Sequence, residues 1–178
     1  METCETVVSV QKPSTTTAER LVQCLQEKGL QITTAESCTG GMIASKIVDV
    51  SGASFVFEEG YVTYSNRVKE KVLEVSSDTI SKYTVVSHQV AEEMAAGVQR
   101  KTQADIAISV TGYAGPEPAD DGTPAGTVYI GICYKDMIKS EHFCFNGNRQ
   151  EVREQAAQAA LTLALNTLLE KEERVKNE

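Results

Sequence analysis

Leu21, Cys24 and Leu25 recur at helical spacing, directly after Thr16-x-x-Glu19 and before Gly29. A capping box at the start and a glycine cap at the end predict a first helix between Thr16 and Gly29. Leu30 to Ala35 then reads as a short strand rich in β-branched residues. The polar, glycine-rich run Glu36-Ser37-Cys38-Thr39-Gly40-Gly41 follows it. Met42, Ile43, Ile47 and Val48 resume helical spacing beyond that run, which is therefore a strand-to-helix turn.

Gly60 to Tyr64 is expected as a second strand, followed by a helix around Arg67 to Glu74 and a short turn of structure near Asp78 to Lys82. Ser87 suits the cap of a longer helix whose Val90, Met94 and Val98 recur at i, i+4 and i+8, widened by Ala91 and Ala95. Ala104 to Thr111 is nearly continuously apolar and predicts a buried strand. The loop Thr111-Gly112-Tyr113-Ala114-Gly115-Pro116 ends it and continues to Gly122. Gly126 to Tyr134 and Ile138 to Phe145, separated by Lys135-Asp136, predict a hairpin. A last helix, Arg149 to about Glu172, carries Val152, Ala156, Ala159 and Leu163.

Strands and helices alternate first and a hairpin enters late, so the expected fold is α/β: a layered α/β/α single domain with a mixed sheet. Residues 1–15 read as a flexible polar lead-in, 16–172 as the domain and 173–178 as a charged tail.

Charge and composition narrow the function. The 178 residues carry 17 Lys+Arg against 25 Asp+Glu, a formal net charge of −8, which disfavours attraction to nucleic-acid phosphate. With 41% hydrophobic residues the chain can bury a real core without metal or disulfide staples. No run approaches the roughly 20 apolar residues of a membrane span, and Met1 to Thr17 lacks the apolar core of a signal peptide. A cytoplasmic protein is expected. The 5 cysteines are scattered without a CxxC pair, and only 2 histidines exist, His88 and His142. Reduced thiols are expected, and no metal site.

Candidate chemistry concentrates at strand ends, where ligands gather in open α/β sheets. Ser37 lies in a tight turn with free backbone N–H groups beside it, suited to an oxyanion or a phosphate. Equally, Ser37 or Thr39 could simply cap the following helix. Tyr64-Ser65-Asn66 closes one strand and Thr111-Gly112 another; Lys69 stands about one turn past Tyr64, although an arbitrary lysine is usually a solvated one. Arg149 begins the last helix, where a cation opposes the helix dipole unless an anionic ligand reverses the cost; pairing with Glu151 is the plainer alternative. With neither histidine near a glycine loop, a serine here would need a neutral lysine as its base, so elimination favours a Ser/Lys pair.

The runs Thr34-Ala35-Glu36-Ser37-Cys38-Thr39-Gly40-Gly41, Tyr61-Val62-Thr63-Tyr64-Ser65-Asn66-x-x-Lys69, Val86-Ser87, Thr111-Gly112-x-Ala114-Gly115-Pro116, Gly126-Thr127-Val128 and Gly147-x-Arg149-x-x-Val152-Arg153 together resemble the CinA C-terminal domain family over roughly residues 17–170. The resemblance implies a metal-independent serine amidohydrolase, without cofactor, that converts nicotinamide mononucleotide and water to nicotinate mononucleotide and ammonia. It implies Ser37 as nucleophile, Lys69 as general base and Tyr64 as an aid to proton transfer or positioning. Thr111 and Gly112 would line the nucleotide site, Arg149 would face the phosphate, and Glu36, Cys38, Thr39, Gly40 and Gly41 would contact substrate around the nucleophile.

The partner implied is a small nucleotide, with neither nucleic acid nor membrane, and a homo-oligomer is left open. Tyr113 and the acidic loop Glu117 to Thr123 depart from the family pattern at the substrate mouth. Longer members carry an N-terminal molybdopterin-binding-like domain with pyrophosphatase activity; only the short lead-in precedes the shared region here, so that activity is not expected. Two other readings stand beside the deamidase: a non-catalytic nucleotide- or protein-binding regulatory module, and an amidase or esterase for another small substrate.

Overall fold

The computed structural model describes residues 15–176. The polar lead-in expected over 1–15 lies outside the described residues except for Thr15. In chain order the elements are α1 (Thr17–Lys28), β1 (Ile32–Glu36), α2 (Met42–Val48), a 3₁₀ turn (Ala53–Phe55), β2 (Phe57–Val62), α3 (Asn66–Leu73), α4 (Ser77–Tyr83), α5 (His88–Thr102), β3 (Ile106–Gly112), β4 (Thr127–Tyr134), β5 (Met137–Cys144) and α6 (Arg149–Lys176).

The strands form one sheet in the order β2-β1-β3-β4-β5. β1 runs parallel to β2 and β3, whereas β4 and β5 are antiparallel neighbours. One apolar layer joins Ile106, Ile108 and Val110 of β3 to Leu21 of α1 and Ala160 of α6. The other joins Ala107 to Val90 and Met94 of α5. Alternate residues of β3 thus face opposite layers, the period-2 signature of a strand buried on both sides. The expected α/β/α fold with a mixed sheet is the observed one.

The capping box of α1 forms as expected: Glu19 N–H donates to Thr16 Oγ1 at 3.2 Å, and Thr16 N–H to the Glu19 carboxylate at 2.7 Å. Ser87 caps α5. Several boundaries move. β1 starts at Ile32 because the Gly29 cap extends through Leu30 N–H, which donates to Leu25 O at 3.0 Å. β2 lies earlier than Gly60 to Tyr64, since Phe57 pairs with Ile32 and the exposed Glu58 and Glu59 of this edge strand obscure its apolar alternation. The 3₁₀ turn before it had no sequence signal. α6 runs on to Lys176, so residues 173–176 of the charged tail continue the helix, and only 177–178 lie beyond the described residues.

Close packing of α3 against α5 depends on a single glycine. A Cβ at Gly97 would sit 2.0 Å from Leu73 O, so only glycine lets α5 approach the end of α3. That contact seats α3, and Lys69 with it, against α5.

Candidate active site

The parallel strands β1, β2 and β3 end on one side of the sheet, and the chain beyond each end builds a single cleft of about 240 Å³. Ser37 and Cys38 come from the end of β1, Tyr64 and Lys69 from beyond β2, Thr111 and Gly112 from the end of β3, and Arg149 from the start of α6. Seven residues singled out from the sequence therefore meet in one place.

The Ser37 turn is held by the sheet and by Glu36. Ser37 N–H donates to Val110 O at 3.0 Å, and Thr63 N–H to Glu36 O at 2.8 Å. Glu36 is fully buried, and its carboxylate accepts from the N–H groups of Gly41 (2.9 Å), Ile43 (3.1 Å) and Ala44 (2.9 Å). The orphan donors at the start of α2 are thereby satisfied by a carboxylate from the preceding strand. Two expectations are corrected. Glu36 does not face the cleft, because its oxygens are committed to backbone. Neither Ser37 nor Thr39 caps α2, since Gly41 occupies the N-cap position at φ 94° without a side-chain cap bond. Gly40 and Gly41 adopt positive φ in succession, a conformation that favours glycine at both. Like the buried Thr39, they shape the turn and do not line the cleft.

Ser37 Oγ is thus left for Lys69, whose Nζ lies 2.9 Å away. Lys69 is 1% exposed, the largest fully buried side chain in the protein's described residues. Its Nζ also donates to Thr63 O at 2.8 Å and to Tyr64 O at a longer 3.5 Å. Among the described residues no carboxylate pairs with it. Burial without a counter-charge lowers its pKa from 10.5 to about 8, opposed only by the nearby Cys38 thiol. The three acceptors suit both protonation states. A neutral amine gives its two N–H bonds to the carbonyls and turns its lone pair to the Ser37 hydroxyl; the ammonium gives its third N–H to Ser37 Oγ.

Cys38 lines the same cleft at 5% exposure. Burial, only partly offset by its own backbone N–H and by Lys69, pushes its thiol up to about 11. The thiol is therefore protonated at neutral pH and a poor nucleophile beside an activated serine.

Tyr64 and Arg149 form the rim. Arg149 donates from Nη2 to Tyr64 Oη at 2.8 Å and from Nη1 to Gly115 O at 2.8 Å. Glu151, the alternative partner for Arg149, accepts instead from Asn148 N–H. The Tyr64 ring is 60% exposed, so this phenol is an anchor for Arg149, and it is the Tyr64 carbonyl that reaches Lys69. Thr111 Oγ1 donates to Val85 O at 2.8 Å, which ties β3 to the cleft wall. A Cβ at Gly112 would lie 2.7 Å from Val128, so glycine lets the end of β3 pair closely with β4 there. Tyr113 and Glu117, the departures noted in the sequence, also line the mouth.

Two contributors stand in the motif runs of the sequence but were given no role there. The Thr63 carbonyl is a backbone group, invisible in residue type. Arg153 donates to the carbonyls of Cys38 (3.0 Å) and Thr39 (2.9 Å), across 115 and 114 residues of chain.

A three-layer α/β domain with a serine and a buried lysine in contact at its strand ends is the class defined by these features. The CinA C-terminal domain description matches residues 14–168, and the chain belongs to that family. It is 46% identical over 142 residues to the nicotinamide-nucleotide amidohydrolase PncC of Enterobacter agglomerans, covering 79% of this chain and 87% of that protein. It is 47% identical over 154 residues to a putative competence-damage inducible protein of Caldicellulosiruptor saccharolyticus; the match covers 86% of this chain but spans only 38% of that relative's length. Among solved structures, a CinA superfamily protein of Klebsiella pneumoniae superposes with a TM-score of 0.85 at 35% identity, covering 86% of this chain and 96% of that one.

Proposed function

We propose that this protein is an amidohydrolase that removes the carboxamide nitrogen of nicotinamide mononucleotide through an acyl-enzyme on Ser37. The observation that carries the reading is the 2.9 Å contact between Ser37 Oγ and a buried lysine amine that has no counter-ion among the described residues. The relative PncC, named for amide hydrolysis of a nicotinamide nucleotide, supplies the substrate class.

Neutral Lys69 takes the Ser37 proton as Oγ attacks the carboxamide carbon, and the carbonyl oxygen becomes an oxyanion. A backbone N–H of the turn is the donor for it. Gly41 N–H is committed to Glu36, Gly40 N–H to Ser37 O, and Thr39 is fully buried, so the N–H of Cys38, which lines the cleft, is left for this role. Lys69 then returns the proton to the nitrogen, the C–N bond breaks and ammonia leaves. Water attacks the ester, with Lys69 again the base, and releases the carboxylate product and free Ser37. Arg149 at the rim binds the phosphate in this reading, exchanging the Tyr64 hydroxyl for a charged acceptor.

The test is ammonia release from nicotinamide mononucleotide by purified protein with a chelator present. Sustained turnover supports the reading; turnover abolished by chelator removes the metal-free mechanism, and no turnover removes the substrate.

A further inference from the structure

Arg153 stands in the first turns of α6, half-buried, and gives Nε to Cys38 O at 3.0 Å and Nη2 to Thr39 O at 2.9 Å. Among the described residues no carboxylate pairs with it. A guanidinium that is partly buried usually meets an acid; this one spends its charge on two peptide groups directly behind the nucleophile.

Peptide planarity turns that tether into an aim. The C=O and N–H of one trans peptide point in opposite directions. With Cys38 O fixed on Arg153, the Thr39 N–H of the same peptide is directed away from the guanidinium. With Thr39 O fixed, the Gly40 N–H is directed likewise, and it donates to Ser37 O at 3.1 Å. Among the described residues neither the Cys38 nor the Thr39 N–H donates to another residue. A cation on the carbonyl side also polarises a peptide and makes its N–H a stronger donor. Gly40 accommodates the arrangement, since a Cβ there would already lie 3.4 Å from Arg153 Nη2.

We infer that Arg153 is a positioning residue for catalysis: it fixes the Thr39-Gly40 peptide, whose N–H holds Ser37 O, so that the free Cys38 N–H of the Ser37-Cys38 peptide meets the oxyanion formed at Ser37, and its charge strengthens that donor through this chain of hydrogen bonds. The inference rests on the acyl-enzyme reading but not on the identity of the substrate.

The experiment uses a fluorophosphonate probe, whose phosphoryl oxygen occupies the oxyanion position. Ser37 Oγ forms a bond to phosphorus as the P–F bond breaks, fluoride leaves and the serine proton passes to Lys69. The rate of adduct formation at Ser37 is followed by mass spectrometry for wild type, Arg153→Ala, Arg153→Lys and Arg153→Gln, with thermal melting measured alongside. Loss of an oxyanion donor costs about 100-fold or more in rate, so Arg153→Ala is expected to slow labelling by at least about 30-fold. The pH midpoint of labelling, set by Lys69, stays at its wild-type value. Arg153→Lys recovers more of the rate than Arg153→Gln, because lysine keeps the charge. Labelling of Arg153→Ala within about threefold of wild type, or a displaced pH midpoint, overturns the inference. Should Arg153→Ala fail to fold, Arg153→Gln labelling at the wild-type rate does so. A wild-type protein labelled at Ser37 yet inactive on nicotinamide mononucleotide would remove the proposed substrate alone. Absence of any label on wild type overturns both.

Discussion

Lys69 Nζ sits 2.9 Å from Ser37 Oγ and 2.8 Å from Thr63 O, so the amine is held between its reaction partner and the backbone that follows β2. The 32 residues separating Lys69 from Ser37 are bridged by the parallel pairing of β1 with β2, which brings both strand ends to one side of the sheet. The relationship is thus a product of topology, and its chemistry follows from burial.

That burial makes a prediction about pH. With the amine's pKa lowered to about 8, hydrolysis should rise with pH and level off once Lys69 is neutral. Stability shows the same group from the other side. Below about pH 8 both folded and unfolded chains carry the proton, and the folded state bears the full penalty of a buried cation. Between about 8 and 10.5 the unfolded chain binds more protons than the folded one, so stability rises with pH. The span corresponds to on the order of 3 kcal/mol. Melting of wild type and Lys69→Met across this range should show wild type gaining on the variant as pH increases; parallel curves would contradict a depressed lysine.

Ser37→Ala should abolish hydrolysis while leaving the fold intact, because the α2 donors are capped by Glu36 and not by the serine. Its change in stability should stay within about 1 kcal/mol, below the usual cost of a lost helix cap. Cys38→Ala should keep most of the activity, since a thiol pushed up to about 11 contributes no thiolate at working pH. Activity surviving in Ser37→Ala but lost in Cys38→Ala would reverse the assignment.

Much of the site was legible because strand-end turns announce themselves. Glycine pairs, capping residues and the end of an apolar run locate Ser37 and Thr111 without any knowledge of pairing. What stayed hidden depends on where side chains turn. Glu36 is one residue from Ser37, yet the alternation of β1 sends its carboxylate beneath α2. The Tyr64 phenol goes to Arg149 rather than to the Ser37 and Lys69 pair, and its ring lies exposed at the rim. Arg153 needs both α6 and the β1 turn in place before its role exists. The fold was legible for a related reason: β3 and β4 are buried on both faces and read plainly, whereas edge strand β2, with Glu58 and Glu59 exposed, lost its pattern.

Arg149→Ala should raise KM for nicotinamide mononucleotide far more than for the dephosphorylated nucleoside. A charge-assisted contact to phosphate contributes about 1.5–3 kcal/mol, or roughly 10-fold to 150-fold in KM, and the nucleoside never makes it. Tyr64→Phe should follow the same pattern with a smaller effect, because the phenol touches Arg149 and not the reacting atoms. Steady-state kinetics with both substrates check this; equal losses for the two would disconnect the rim from phosphate.

Lys69→Arg should be nearly as damaging as Lys69→Ala. A general base has to be neutral for part of each turnover, and a guanidinium with a pKa above about 12 never is at working pH. The planar group is also larger than an amine in a site that is 1% exposed, with Thr63 O and Ser37 Oγ already within 2.9 Å of Nζ. If Lys69 served only to attract the substrate's phosphate, the arginine variant would keep the charge and much of the rate. Removal of a base acts on the transition state, so kcat and kcat/KM should fall together with KM little changed. Measuring both variants at saturating substrate from about pH 6 to about pH 10 separates the two roles. A Lys69→Arg enzyme with near wild-type kcat would exclude proton transfer by this residue and leave Ser37 without a base.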